Sequence, residues 1–399
     1  MKIGINGYEA VVPRFGYSRE GLPNRVGSGI YCYELLFHLN KIDKKNNYLI
    51  YLPQKPTKDM PQERENWKYK VIGAKKAWTL TSLSFELFKK QSNPDVFFSP
   101  THYLPFFSPS KSVISILDVS YLHFPNMFAK KDLYQLKFWG GLSIKKAKKI
   151  ITISNSSKSD IIKEYGISSD KVVVVYPGVK EISNIKYQIS NMDELQKKFG
   201  IDGDYILFVG TLQPRKNIVR LIEAFSKVVQ NYSSSERSES RSRFSTSSNN
   251  KGLQLVIIGK KGWMFDDILS APEKFGVKDN VLFIDNAADE DLPSLYQHAQ
   301  FFILPSLYEG FGLPILEAMN YGCPVITSNV SSLPEAGGDA ALYVDPQNPE
   351  DIAEKMKKLL SDDNLKKELV EKGYIQVKKF SWEKTARETL KALEEVGKA

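Results

Sequence analysis

The stretch that most constrains this chain lies near three-quarters of its length: Pro305-Ser306-Leu307-Tyr308-Glu309-Gly310-Phe311-Gly312-Leu313-Pro314-Ile315-Leu316-Glu317-Ala318-Met319. The apolar run before it, ending in Phe301-Phe302-Ile303-Leu304, reads as a buried parallel strand. Gly310 and Gly312 let the backbone turn tightly and approach a ligand, and Pro314 suits the first position of a helix. The N–H groups and positive dipole end of that helix favour an anion. Glu309 stands just before the turn and Glu317 eight residues later. An ionised carboxylate is acceptor-only, which suits the hydroxyls of sugars and ribose. A glycine pair alone fits a plain strand–loop–helix corner with solvated glutamates equally well; two carboxylates bracketing the turn point to a site.

The run Glu309-Gly310-Phe311-Gly312-Leu313-Pro314 through Glu317, followed by Gly322-Cys323-Pro324-Val325-Ile326, resembles the E-x7-E signature of retaining glycosyltransferases of family 4. The resemblance runs from about residue 2 to residue 382. It includes Gly210-Thr211-Leu212-Gln213-Pro214-Arg215-Lys216-Asn217, Pro334-Glu335-Ala336-Gly337-Gly338 and Phe380-Ser381-Trp382. It implies an α/β chain of the GT-B fold, two Rossmann-like doubly wound parallel-sheet domains facing a central cleft. The wording is similar to that of bacterial and archaeal mannosyltransferases and glucosyltransferases of cell-surface polysaccharide assembly. The implied function is retaining transfer of a hexose, mannose from GDP-mannose being favoured, to a glycan acceptor carried on a lipid diphosphate. A UDP-glucose-type glucosyltransferase and a non-catalytic sugar-nucleotide sensor stand as alternatives.

At 399 residues the chain has room for two domains, each with its own core. With 42% hydrophobic and 25% charged residues, wholesale disorder is excluded. Cys32 and Cys323 match no metal spacing and fit a reduced, cytoplasmic compartment. The opening Met1-Lys2-Ile3-Gly4-Ile5-Asn6-Gly7 reads as a first strand rather than a signal peptide. No run reaches the length of a membrane span, so any membrane contact is peripheral, on the inner face of the plasma membrane. The net charge of +9 divides into +14 for residues 1–190 (29 Lys+Arg against 15 Asp+Glu) and −5 for the remainder (26 against 31). A basic first half suits an anionic membrane surface or a diphosphate-linked lipid. No nucleic-acid-binding motif accompanies it, and nucleic acid is not expected as a partner.

In the first half, Lys2–Asn6, Tyr48–Leu52, Val96–Phe98, Val113–Leu117, Ile150–Ile153 and Val172–Val175 read as strands alternating with helices such as Ile30–Asn40 and Asp132–Lys146. Residues 1–180 are assigned to an amino-terminal Rossmann-like domain that binds the acceptor, and a polar linker follows to about Asp193. Residues 193–381 form the donor-binding domain, with strands at Tyr205–Val209, Leu255–Ile258, Val281–Ile284, Phe301–Leu304, Val325–Thr327 and Ala341–Val344. By resemblance, a last helix at 383–399 packs back on the first domain. Residues 231–250 hold nine serines with Arg237, Arg241 and Arg243, a low-complexity insert expected to be disordered.

The long loop after the first strand ends in Gly27-Ser28-Gly29 at a helix entry, where backbone N–H groups suit a diphosphate. After Val113-Ile114-Ser115-Ile116, many relatives carry His-Asp; here the pair is Leu117-Asp118. Any role of the histidine side chain is lost while a backbone role at that position stays open, and Asp118 is left as a candidate for orienting substrate hydroxyls or as a turn cap. His123 reads chiefly as a packed, hydrogen-bonded histidine.

Arg215 and Lys216, directly after the strand ending at Gly210, suit a nucleotide diphosphate and the charge on a departing one. The catalytic candidates are therefore Glu309, Arg215, Lys216 and Asp118. By resemblance Glu309 reaches the sugar hydroxyls beside the N–H groups of Phe311, Gly312 and Leu313, and Glu317 takes the ribose hydroxyls. Donor binding adds Gly27, Ser28, Gly29, Gly210 and Gly310. The nucleotide-diphosphate sugar is a co-substrate, and neither a cofactor nor an essential metal is expected. Asp202-Gly203-Asp204 and Asp289-Glu290-Asp291 have the D-x-D form of metal-binding glycosyltransferases, but read as a turn and a helix start.

Two segments pair aromatics with lysines: Trp78, Leu80, Leu83, Phe85, Leu87 and Phe88, then Leu133, Leu136, Phe138 and Trp139 before the lysines at 145–149. Helices of this kind lie in a bilayer interface or pack on a sheet.

Overall fold

The computed structural model describes every residue except 14–15, 19–20, 74–76, 90–93, 181–191, 230–231, 233–251 and 286. Most of the linker and nearly all of the serine-rich insert read from the sequence therefore lie outside the described residues. The chain divides into two compact units, Met1–Gly178 with Phe380–Ala399, and Val179–Lys379. Among the described residues, no helix is long and apolar enough to cross a membrane.

The first unit is built on seven parallel strands: β1 (Lys2–Asn6), β2 (Asn47–Leu52), β3 (Trp67–Val71), β4 (Val96–Ser99), β5 (Ser112–Ser115), β6 (Lys149–Thr152) and β7 (Val172–Val174). Their order is β3-β2-β1-β4-β5-β6-β7. Consecutive residues along each strand feed opposite faces. Ile50, Phe98, Val113 and Ile151 enter one core, and their neighbours Tyr51, Phe97, Ile114 and Ile150 enter the other. Continuous apolar runs of this kind, buried on both faces, are what a parallel sheet covered by helices requires.

Strand β3 was not among the strands read from the sequence. Only Trp67 of it is buried, and polar Lys68 and Lys70 interrupt it at the sheet's edge, so no apolar run announces it. Strand β5 ends at Ser115, short of the expected Leu117.

The carboxyl-terminal helix Trp382–Lys398 completes the first unit. Trp382, Ala386, Leu393 and Val396 join the core that holds Ile3, Ile5 and Leu35. Gly178 permits this return: a Cβ there would lie 2.0 Å from the Trp382 nitrogen.

The second unit has six parallel strands: β8 (Tyr205–Val209), β9 (Gln254–Ile258), β10 (Val281–Ile284), β11 (Phe301–Leu304), β12 (Val325–Ser328) and β13 (Ala341–Val344). The order is β10-β9-β8-β11-β12-β13, so the chain winds one way from β8 to β10 and then reverses to β11. This doubly wound order opens a crevice at the carboxyl ends of β8 and β11, where open α/β sheets bind their ligands.

Candidate active site

At that reversal the loop leaving β8 meets the loop leaving β11. The first passes Gly210 and makes a single tight turn, Pro214–Lys216. Asn217 ends the turn with a left-handed φ of 61°, a conformation asparagine tolerates better than most residues. Its side-chain amide donates to the carbonyls of Pro305 at 3.0 Å and Pro346 at 2.6 Å, which ties the turn to the β11 loop. The Leu307 N–H closes the tie by donating to the Arg215 carbonyl at 2.9 Å.

Glu309 sits buried in the middle. Its Oε1 accepts from Lys216 Nζ at 2.6 Å and from Ser306 Oγ at 2.7 Å, and its Oε2 accepts from Arg215 Nη1 at 3.1 Å. Arg215 also donates to the Tyr308 carbonyl. Burial by itself would raise the Glu309 pKa; the Lys216 and Arg215 charges, with the Lys216 and Ser306 hydrogen bonds, outweigh it and hold the carboxyl at about 2. Both cations and the carboxylate are held together on side chains kept largely out of bulk water.

The backbone of Glu309 is clamped as well. Its N–H donates to Ser331 Oγ at 3.0 Å, and its carbonyl accepts from the hydroxyls of Ser331 and Ser332, both at 2.8 Å. Ser331 holds a left-handed φ of 56°, a conformation costly for a serine and often found at functional sites. Neither serine was singled out from the sequence; the signal available was the tandem Ser331-Ser332 leading into Pro334-Glu335-Ala336-Gly337-Gly338.

Of the two glycines in the turn, Gly312 takes the left-handed conformation, at φ 104°, while Gly310 does not. A Cβ at Gly312 would meet Leu333 at 2.9 Å and Ile315 at 3.2 Å. Gly312 caps the helix Leu313–Asn320, placing Pro314 second rather than first in it. Phe311 is buried and Leu313 partly so.

Glu317 lies farther along this helix in different company. Its Oε2 accepts from Tyr296 at 3.3 Å, and its charge is felt by Lys180 and Asp289. Burial first, and Asp289 second, raise its pKa against the opposing pull of Lys180 and Tyr296.

Gly210 is approached by Gly259, where a Cβ would lie 1.9 Å from the Gly210 oxygen; at Gly262 one would lie 2.7 Å from the Leu212 oxygen. The segment Gly259-Lys260-Lys261-Gly262, overlooked in the sequence, thus lies directly against the loop that carries the cations.

The remaining candidates belong to the first unit. Gly27 caps the helix Ser28–Ile42 with a φ of 49°. The Gly29 N–H is already taken by the Val26 carbonyl at 2.9 Å, and Ser28 Oγ donates to Glu9 Oε2 at 2.9 Å. At this helix entry one amide is thus engaged by a neighbouring carbonyl, and the Glu9 carboxylate stands beside Ser28. Asp118 Oδ1 accepts from the N–H and the hydroxyl of Ser120 at 2.9 and 2.7 Å, the turn-cap arrangement. The Leu117 carbonyl accepts from Ser157 Oγ at 3.2 Å, which occupies the backbone group at the histidine position. His123 lies 3.2 Å from Asp160.

Both D-x-D runs have structural partners. Asp204 accepts from Tyr232 at 2.9 Å and Gln300 at 2.7 Å, Asp289 pairs with Lys180 at 3.1 Å, and Asp291 pairs with Lys198 at 2.5 Å.

Residues 191–376 match the family described as Glycosyl transferases group 1, and residues 27–181 match Glycosyltransferase Family 4. The chain belongs to the family 4 glycosyltransferases, and its two parallel-sheet units make up the GT-B fold. It is 33% identical over 298 residues to the O-antigen chain mannosyltransferase B of Escherichia coli, an alignment covering 74% of this chain and 73% of that one. It is 32% identical over 269 residues to the serotype-specific mannosyltransferase WbdA of Escherichia coli, covering 67% of this chain but only 30% of WbdA. Among solved structures, Anabaena Alr3699/HepE in complex with UDP-glucose superposes with a TM-score of 0.70 over 99% of this chain and 100% of that one. At 16% identity that likeness speaks to the fold alone.

Proposed function

We propose that this glycosyltransferase moves mannose from GDP-mannose to a glycan acceptor carried on a lipid diphosphate, with retention of configuration and without an essential metal. The observation that carries the reading is the Arg215–Lys216–Glu309 cluster at the reversal of the second sheet, in a chain 33% identical to an O-antigen chain mannosyltransferase.

In this reading the donor diphosphate binds at Arg215 and Lys216. As the bond between the sugar C1 and the phosphate oxygen breaks, negative charge grows on the leaving group, and preorganised cations in a partly dehydrated site stabilise it without reorganising. Glu309, already engaged by both cations, is poorly placed to act as a nucleophile. That favours attack of the acceptor oxygen on the face the leaving group departs from, the acceptor proton passing to a leaving phosphate oxygen. Glu309 orients the cations and reaches the sugar hydroxyls, and Glu317 accepts from the ribose. The cations supply the charge that a divalent metal supplies in other glycosyltransferases.

The test is thermal stability against a panel of nucleotide sugars in EDTA, followed by anomeric analysis of the product by NMR. A bound donor raises the midpoint by mass action. A shift with GDP-mannose alone, and an α-linked product from the α-linked donor, support the reading. A shift only with UDP-glucose, inverted product, or activity abolished by EDTA overturns the corresponding part.

A further inference from the structure

The first unit carries an outward-facing aromatic surface that its own core does not use. In the helix Ser82–Phe88, Leu83 and Leu87 point inward and are buried, which satisfies the packing of that helix on the sheet. Phe85 and Phe88 point the other way and are 66% and 71% exposed. Their rings lie 6.4 and 5.3 Å from Phe107. Its neighbour Phe106 packs edge-on against Trp139 at 4.8 Å, Trp139 against Phe138 at 4.7 Å, and Phe138 stacks on Tyr134 at 5.7 Å. Two groups of contacting rings, joined through the adjacent residues Phe106 and Phe107, therefore lie on the surface between Phe88 and Tyr134, the latter 64% exposed.

A basic rim accompanies it. The helical segment from Lys130 to Lys146 runs through a wider turn at Leu136–Gly140. Residues 129–148 carry six lysines, at 130, 131, 137, 145, 146 and 148, all exposed, against the single acid Asp132. Lys146 donates to the Phe106 carbonyl at 2.6 Å, which fixes the aromatic loop beside the basic helix end. An open depression of about 440 Å³ lies between Lys130, Leu133, Tyr134, Lys137 and Phe138.

Large exposed aromatic patches are uncommon on soluble surfaces, because water penalises them. Aromatics flanked by lysines match an anionic bilayer: rings enter the headgroup–acyl boundary, and each ammonium near the surface adds attraction. We infer that this face docks on an anionic membrane, with Phe85, Phe88 and Phe138 inserting and Lys130, Lys131 and Lys137 meeting lipid phosphates. The inference needs neither donor nor acceptor and stands apart from the proposed reaction.

The experiment is co-sedimentation of the whole chain with vesicles of phosphatidylcholine alone or mixed with phosphatidylglycerol. The chain is expected to sediment with the anionic vesicles and not with the neutral ones, and to be released by high salt. The triple variants Phe85→Ser/Phe88→Ser/Phe138→Ser and Lys130→Glu/Lys131→Glu/Lys137→Glu are each expected to lose more than about tenfold in partitioning. Their melting midpoints should match the parent's, since these side chains lie outside the core. Parent protein left in the supernatant with anionic vesicles overturns the inference, as does a ring variant that sediments like the parent. Self-association in sedimentation velocity that the ring variant abolishes, without vesicle binding, also overturns it and makes the face an interface between copies.

Discussion

One hydroxyl holds both backbone polar groups of Glu309: Ser331 Oγ accepts from the Glu309 N–H at 3.0 Å and donates to the Glu309 carbonyl at 2.8 Å. Ser331 does so from a left-handed backbone. Ser331→Ala removes the clamp and keeps the strain, leaving partly buried polar groups without their partner, at a cost of about 1–3 kcal/mol. Ser331→Gly removes the clamp and relieves the strain. The glycine variant should melt above the alanine variant, and both should lose about tenfold or more in kcat/KM as Glu309 loosens. Equal melting midpoints would refute the strain, and parent-like kcat/KM in both variants would refute the positioning.

Lys216 and Glu309 form a test of charge balance. Lys216→Met should cost about 2–4 kcal/mol of transition-state stabilisation. It should also lower stability, because a buried carboxylate loses a partner. Adding Glu309→Gln should restore most of the melting midpoint and none of the turnover. A double-mutant cycle in urea measures the coupling, and additive effects would mean the pair is not coupled.

Glu309 also shapes the acid limb of stability. Its pKa is lowered in the folded chain to about 2, from an ordinary 4.5, so its contribution is fully present above pH 4.5 and is lost as pH falls toward 2. Urea midpoints measured between neutral and acid pH should fall through that window, and less steeply in Glu309→Gln. An unchanged slope in the variant would place the acid sensitivity elsewhere.

Glu317 has the opposite sign. Its pKa is raised, so the folded chain prefers it protonated, and its cost to stability appears as pH rises through the raised value. Glu317→Gln should therefore raise the melting midpoint slightly at pH 7 while weakening binding of the nucleotide sugar. A lower midpoint in the variant would contradict this electrostatic picture.

Much of this was legible because the signals are local. The six strands of the second unit are short apolar runs bounded by turns, and β11 running into Glu309-Gly310-Phe311-Gly312 announces a loop at a strand's end. What stayed hidden depends on partners distant in the chain. Glu309 reads as a hydroxyl acceptor, but the sequence does not show that its carboxylate also engages Arg215 and Lys216 on another loop, or that the hydroxyls clamping its backbone come from a third. That the Val26 carbonyl takes the Gly29 N–H is likewise not visible in the sequence. For the helix Ser82–Phe88, periodicity alone could not tell which apolar residues face the core. The leucines do, and the phenylalanines do not.

The return of Trp382–Lys398 to the first unit has a consequence for biosynthesis. Residues 1–178 leave the ribosome 201 residues before the first unit's final segment, Phe380–Ala399, begins to emerge. At cellular elongation rates that interval is ~10–40 s. Throughout it, the core around Ile3, Ile5 and Leu35 lacks the cover of Trp382, Leu393 and Val396. The amino-terminal unit must therefore wait for its returning segment to be made. A nascent chain stalled within the second unit would present that uncovered apolar face to chaperones.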